Sequence, residues 1–136
     1  MNNRRRDVVL AWVDAFNRRD AEAAARLYAP DAVNEQVAEG ATAGRHAIRD
    51  GLVYFFNAFP DNVTRPENLL EDGEWVALEW SGSGSWRGEF AGHAPNGRSF
   101  QIRRCGFFRI VDGQIQHQRG YWDRSSWFGR LGIPIG

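Results

Sequence analysis

The sequence contains no lysine. All 17 basic residues are arginine, and 17 acidic residues bring the net charge to zero. Schiff-base catalysis through a lysine amine is therefore closed to this chain. Without a basic excess, nucleic acid and anionic membrane surfaces are not expected as principal partners. Cysteine occurs once, at Cys105, which excludes an internal disulfide and a multi-thiolate zinc site. The three histidines, His46, His93 and His117, fall at no metal-binding spacing such as HxxxH, so neither a metal nor a cofactor is implied. No apolar run approaches the roughly 18 residues of a membrane span, and the charged start Met1–Arg6 lacks a signal-peptide core. These absences point to a cytoplasmic chain whose chemistry rests on carboxylate, histidine, tyrosine and arginine side chains.

What the sequence does have is aromatic. Of 136 residues 13% are aromatic, six of them Trp and nine Phe, which calls for a large aromatic core or a flat apolar ligand. The length suits one domain over residues 1–136, and no repeat, linker or composition break suggests a second.

The first third reads helical. Val9, Trp12, Val13 and Phe16 form an amphipathic stripe at i, i+3, i+4 and i+7. Asp20 is positioned to cap a short second helix, Ala21 to Tyr28, closed by Pro30. An extended segment is expected over Ala32 to Val37. Gly44 precedes a third helix with an apolar face of Ile48, Leu52, Phe55, Phe56 and Phe59, ended by Pro60. The rest reads as strands. Val76, Leu78 and Trp80 alternate with Ala77 and Glu79. Ser81 to Ser85 has a linker's composition, yet Trp80 and Trp86 flank it in the same parity, so it reads as a strand leaving room for a ligand. After a loop over Gly92 to Gly97, Phe100–Val111 and Gln114–Asp123 are two long strands joined by Asp112-Gly113, a type I′ signal. Helices first and sheet later predict an α+β fold, the helices covering one face of a curved, mainly antiparallel sheet.

A two-residue turn fixes the hairpin register. Phe108 then faces His117, Gly106 faces Arg119, Arg104 faces Tyr121 and Ile102 faces Asp123, all on one side. Carboxylate, phenol, guanidinium and imidazole together are a general acid–base constellation. Apolar neighbours such as Ile102 and Trp86 would raise the Asp123 pKa from its reference of roughly 3.9, and arginines would lower it. A carboxylate that caps the following segment, or pairs with Arg119, Arg103 or Arg124, fits the same residues. His117 equally suits a structural histidine, Tyr121 a core aromatic, and Phe55 a core residue before a pocket wall.

Several segments carry a resemblance. Phe108-Arg109-Ile110-Val111-Asp112-Gly113-Gln114-Ile115, Arg119 to Asp123 and Leu131-Gly132-Ile133-Pro134 look like the carboxy-terminal signature of the SnoaL-like polyketide cyclases, within the NTF2-like, ketosteroid-isomerase-like superfamily. Ala91 to Arg98, Tyr28 to Asn34 and Phe59-Pro60-Asp61 are similar to further family segments, so the resemblance covers nearly the whole chain. It implies a cone-shaped α+β barrel around a deep apolar pocket, and ring closure of an aromatic polyketide by intramolecular aldol condensation without metal or cofactor. It implies Asp123 as the acid and base, and Asn34 as a carbonyl ligand. The family's glutamine and histidine on the penultimate strand fall here on Arg104 and Gly106. Arg104 could stabilise an enolate more strongly than an amide, and His117 could fill the space at Gly106.

Together these readings give catalytic roles to Asp123, His117 and Arg104. Asn34, Tyr121, Arg119, Trp80, Trp86 and Phe55 are expected to bind a small, flat apolar or aromatic carbonyl substrate. An isomerase, hydrolase or hydroxylase-type relative, or a non-catalytic binding module, uses the same scaffold. An outer sheet face with Phe107, Trp122 and Cys105 suits a homodimer or higher homo-oligomer. The apolar tail Trp127–Ile135 either folds back over the cavity or packs on a second subunit.

Overall fold

A computed structural model describes residues 4–135; the first three residues of the segment read for a signal peptide, and Gly136, lie outside them. Helix α1 (Arg5–Asn17) buries Val9, Trp12 and Val13 of the expected stripe, with its fourth member Phe16 half-buried against the same core, and buries Val8 as well. Helix α2 (Ala21–Ala25) begins at Asp20, whose carboxylate accepts from the Ala23 N–H at 2.9 Å. It is shorter than its propensity suggests, because Tyr28 belongs to the next strand, β1 (Tyr28–Gln36). There its fully buried ring bonds Trp12 and Gln118, and its carbonyl accepts from Arg45 at 2.9 and 2.6 Å. These tertiary bonds outweigh the weak preference for another helical turn. A short exposed strand, β2 (Gly40–Ala43), returns along β1, and helix α3 (Arg45–Ala58) follows Gly44 as expected.

Strands β3 (Val63–Asp72), β4 (Trp75–Ser85), β5 (Ser99–Val111) and β6 (Gln114–Tyr121) complete a six-stranded sheet in the order β2-β1-β6-β5-β4-β3. All neighbours are antiparallel except β1 and β6, which run parallel. The serine–glycine stretch Ser81–Ser85 pairs along its whole length with β5. The fold is thus α+β, with four helices on a curved open sheet.

The β5–β6 hairpin departs from the simple register. Its turn is as expected, with Asp112 at φ 53° and Gly113 at φ 75°. Val111 pairs with Gln114 and Ile110 with Ile115, but Arg109 then pairs with His117, leaving Gln116 as an extra residue. This bulge moves every later partner by one, so Phe107 faces Arg119, Gly106 faces Gly120 and Cys105 faces Tyr121. The core explains why. Ile115 and Gln118 are both buried, and three residues apart they share a face only if one residue between them is looped out.

Two aromatic cores result. One lies under α1 and α3 and holds Val9, Trp12, Tyr28, Ile48, Leu78, Trp80 and Phe108. The other gathers Phe59, Trp86, Phe90, Phe100 and Ile102 around Trp127, Phe128, Leu131 and Ile133. The last four come from the tail, which folds back onto its own chain. It forms helix α4 (Arg124–Leu131), an element without a sequence expectation, closed by Gly132 at φ 76° with the Ile133 N–H on the Phe128 carbonyl at 2.9 Å.

Candidate active site

Between α1, α3 and the concave sheet lies a cavity of about 260 Å³. Trp12, Phe16, Leu52, Phe55, Trp80, Phe90 and Trp127 form its apolar walls. Its polar lining divides by depth. Glu39, Thr42 and Tyr54 are exposed residues at the mouth, whereas Tyr28, Asn34, Gln36, Arg104 and Gln118 are buried or half-buried.

The inner amides are oriented by two indoles. A tryptophan N–H can only donate, so it fixes the polarity of any chain it starts. Trp122 Nε1 donates to Gln36 Oε1 at 2.9 Å, and Gln36 Nε2 donates to Asn34 Oδ1 at 2.7 Å. Asn34 is left with its amide N–H groups for the cavity. In the second chain Trp12 Nε1 donates to the Tyr28 hydroxyl at 3.0 Å, which donates in turn to Gln118 Oε1. Gln118 likewise keeps its amide N–H groups. Burial pushes the Tyr28 phenol well above its ordinary pKa, so it serves as a neutral relay. Asn34 and Gln118 are register partners on neighbouring strands, which sets the two amides side by side.

Arg104 is the third inner group. Its Nε and Nη2 are buried and make no hydrogen bond among the described residues. The guanidinium carbon sits 4.6 Å from the Trp127 ring centroid and 5.5 Å from that of Trp122, where the ring faces attract a cation. Burial pushes its pKa down to about 10, against the raising influence of Glu39. It stays charged at neutral pH.

The bulge separates the residues expected to cluster. Arg104, Asn34, Trp80 and Phe55 do line the cavity. His117, Arg119 and Tyr121 do not: they lie on the outer sheet face, opposite Arg104. His117 Nε2 is 3.4 Å from Glu35, and Arg119 Nε donates to the same carboxylate at 3.0 Å. Tyr121 is 40% exposed and meets the Phe107 ring edge-on. Trp86 is buried in the second core with its Nε1 on the Gly88 carbonyl, outside the cavity lining. Trp122, expected on the outer face, turns inward to the cavity. Asp123 is the exposed N-cap of α4. Its carboxylate accepts from the Ser126 hydroxyl at 2.8 Å and from the Ser126 N–H at 3.3 Å, and these bonds hold its pKa below the ordinary carboxylate value. The apolar surroundings that would have raised it are absent.

The space at Gly106 belongs to Trp80, not His117. A Cβ there would sit 3.4 Å from the Trp80 ring and 3.3 Å from the Arg119 carbonyl. Gly120 makes comparable room for Gln36, which would lie 2.4 Å from a Cβ. Gln36, Gln118, Tyr28 and Glu39 had no sequence expectation as site residues. The one signal for them was the glycine pair: a register facing Gly106 with Gly120 turns Gln118 inward and His117 outward. Among the described residues no three His, Cys, Asp or Glu side chains gather to hold a metal ion, and no helix is long and apolar enough to cross a membrane.

This geometry has relatives. The aklanonic acid methyl ester cyclase AcmA of Streptomyces galilaeus is 26% identical over 128 residues, 93% of this chain and 89% of that protein. Among solved structures, IdmH from Streptomyces antibioticus, labelled a polyketide cyclase, is 25% identical with a TM-score of 0.81, covering 96% of this chain and 100% of that one. AclR from S. galilaeus, labelled a hydroxylase, shares the fold at 24% identity and a TM-score of 0.83, covering 96% and 97% of the two chains. Residues 6–129 match the SnoaL-like polyketide cyclase family, so the fold, the aromatic cavity and the sequence agree: the chain belongs to that family.

Proposed function

We propose that this protein, as one SnoaL-like domain, closes a ring of an aromatic polyketide by intramolecular aldol addition without a bound cofactor, with Arg104 as the electrophilic group. The observation that carries this is the unpartnered Arg104 guanidinium in an aromatic cavity. A buried charge without a partner is costly to the fold, and donors aimed at developing negative charge are the largest single contribution in many enzymes. Glu39, the one carboxylate lining the cavity, takes a proton from a carbon flanked by carbonyls. The resulting enolate carbon attacks a ketone carbon of the same molecule and one C–C bond forms. The carbonyl electron pair moves to oxygen, held by Arg104, Asn34 and Gln118, and the proton returns to that alkoxide. Nothing enters or leaves, so product and substrate have the same mass. Asp123 acts at one remove: it starts α4, which sets Trp127 against Arg104.

Aklanonic acid methyl ester, named for the S. galilaeus relative, is the substrate to try first, with chromatography and mass spectrometry to find a cyclised isomer. Glu39→Gln should lower turnover by about 10²–10⁴-fold, with Asp123→Asn within about threefold of wild type. The reverse pattern returns the proton carrier to Asp123. Calorimetric binding without cyclisation makes the chain a binding module.

The reading extends to assembly and location. Leu70, Trp75, Phe107 and Tyr121 are 70%, 36%, 40% and 40% exposed, and Phe107 and Tyr121 touch on the outer sheet face. Such a face suits an isologous homodimer. The single cysteine, free and exposed, suits a reducing cytoplasm.

A further inference from the structure

The inner end of the cavity offers hydrogen-bond donors and almost nothing that accepts. Asn34 Oδ1 and Gln118 Oε1 are both engaged by the indole-started chains, and the Tyr28 hydroxyl has used its proton on Gln118 and accepts from Trp12. Among the donors of the lining residues without a bond are amide N–H groups of Asn34 and Gln118, Arg104 Nε and Nη2, and the Trp127 indole N–H. The groups that can accept, Glu39 and Thr42, are exposed at the mouth, and the Tyr54 hydroxyl there is already engaged with Glu89 and Ala91. A neutral phenol or enol pushed to the inner end would find for its O–H only oxygens that already accept a bond, whereas an ionised oxygen would receive every donor present.

We infer that the cavity selects its ligand as the anion: a flat, conjugated, polyoxygenated ring system whose ionised enol or phenol oxygen sits on Arg104, with neighbouring oxygens on the Asn34 and Gln118 amides. This rests on the polyketide reading and adds the charge state. The polarity is built in two layers. The Trp122 indole fixes the Gln36 amide, which in turn sets its N–H on Asn34 Oδ1, while the Tyr28 hydroxyl, accepting from Trp12, gives its proton to Gln118 Oε1. The aromatic walls hold Arg104 by its ring contacts, the Glu39 carboxylate acts on it only through space and from the mouth, and the ligand supplies the anion in direct contact. Glu39 at the mouth stands where a proton released on binding would leave, and its charge keeps a second anionic group from entering there. The substrate class is therefore acidic 1,3-dicarbonyl or hydroxyquinone compounds, in preference to neutral quinones of the same shape.

Alizarin, a flat hydroxyanthraquinone that changes colour on ionising, reports this directly, with unsubstituted anthraquinone as the neutral control. Titrated from acid to alkali with the full-length protein in excess, bound alizarin should ionise at least about one pH unit lower than free alizarin, the equivalent of a tenfold preference for the anion. Arg104→Met should abolish the shift. Asn34→Asp, which replaces a donor with a charged acceptor, should reverse it and remains informative if the Arg104 variant does not fold. Ionisation at the free value or above, a shift that survives in Arg104→Met, or binding no tighter than anthraquinone each overturns the inference, as does the absence of binding. An unshifted ionisation alongside working ring closure removes only the charge selection. A shifted ionisation in a protein that cyclises nothing leaves the anion site standing and removes the cyclase reading.

Discussion

Two arginines on the same hairpin live under opposite conditions. On the outer face Arg119 bonds Glu35 at 3.0 Å, His117 lies 3.4 Å from that carboxylate, and water reaches all three. The pair lowers the Glu35 pKa, chiefly through the Arg119 hydrogen bond. On the concave face Arg104 has tryptophan rings on two sides and no hydrogen bond from Nε or Nη2. A charge answered by its own neighbours is part of the surface. A charge left unanswered in an apolar cavity destabilises the fold until something from outside answers it, which marks the site.

The sharpest way to break this comparison is to neutralise each arginine. Arg104→Met should lower turnover about 10²–10³-fold, the usual effect of losing one oxyanion donor, while Arg119→Met leaves it within about twofold. The same exchange should raise stability by about 1–3 kcal/mol at neutral pH for Arg104→Met, measured by urea unfolding, since a buried unpaired charge is replaced by an apolar side chain. The sign follows from the pKa. The folded state holds the Arg104 proton less tightly than the unfolded chain does, at about 10 against the higher value of a free guanidinium. The penalty is therefore complete at neutral pH and is relieved as pH rises through about 10 towards the value of a free guanidinium. The gap between variant and wild type should close in that window, and a constant gap would contradict the assignment.

Smaller effects sharpen the contrast further. Asp123→Ala should cost about 1 kcal/mol by removing a helix cap, and Asp123→Asn much less, because asparagine caps as well. Thermal unfolding distinguishes the two. On the outer face, Phe107→Glu should turn the proposed homodimer into monomers by setting like charges across its two-fold axis, read by light scattering. A wild type already monomeric at micromolar concentration removes that interface. Smallest is the acid response of Glu35. Its lowered pKa means its contribution is present at neutral pH and lost as pH falls through the folded-state value, so Glu35→Gln should slightly flatten the acid limb of stability.

Much of this molecule was legible before any coordinates. The stripe of α1, the face of α3, the turn at Asp112-Gly113 and the serine–glycine strand follow from periodicity and turn chemistry. So does the placing of Arg104, Trp80 and Phe55, which sit on elements whose parity nothing disturbs. The cluster around His117 and Tyr121 failed for a nameable reason: a bulge leaves no mark in strand periodicity, and one extra residue exchanges the two faces beyond it. Asp123 differs: its sequence is read as the acid and base, with a cap as the alternative, and the structure places its carboxylate on Ser126 as the exposed cap of α4. Gln36 and Gln118 were invisible because their orientation depends on indoles far away in sequence.

The looped-out Gln116 has a consequence for how such a protein can change. Beyond it, the identity of each interior residue on β6 depends on the ladder as well as on the sequence: Gln118 and Trp122 line the cavity, and Gly120 faces Gly106, only while Gln116 stays looped out. Drawing Gln116 into the ladder would turn His117, Arg119 and Tyr121 to the cavity in one step, trading a set of neutral donors for an ionisable one, whereas deleting Gln116 would leave His117 opposite Arg109 and Gln118 inward. A change that flattens the bulge there, with no residue lost or gained, exchanges one chemistry for another on an unchanged scaffold.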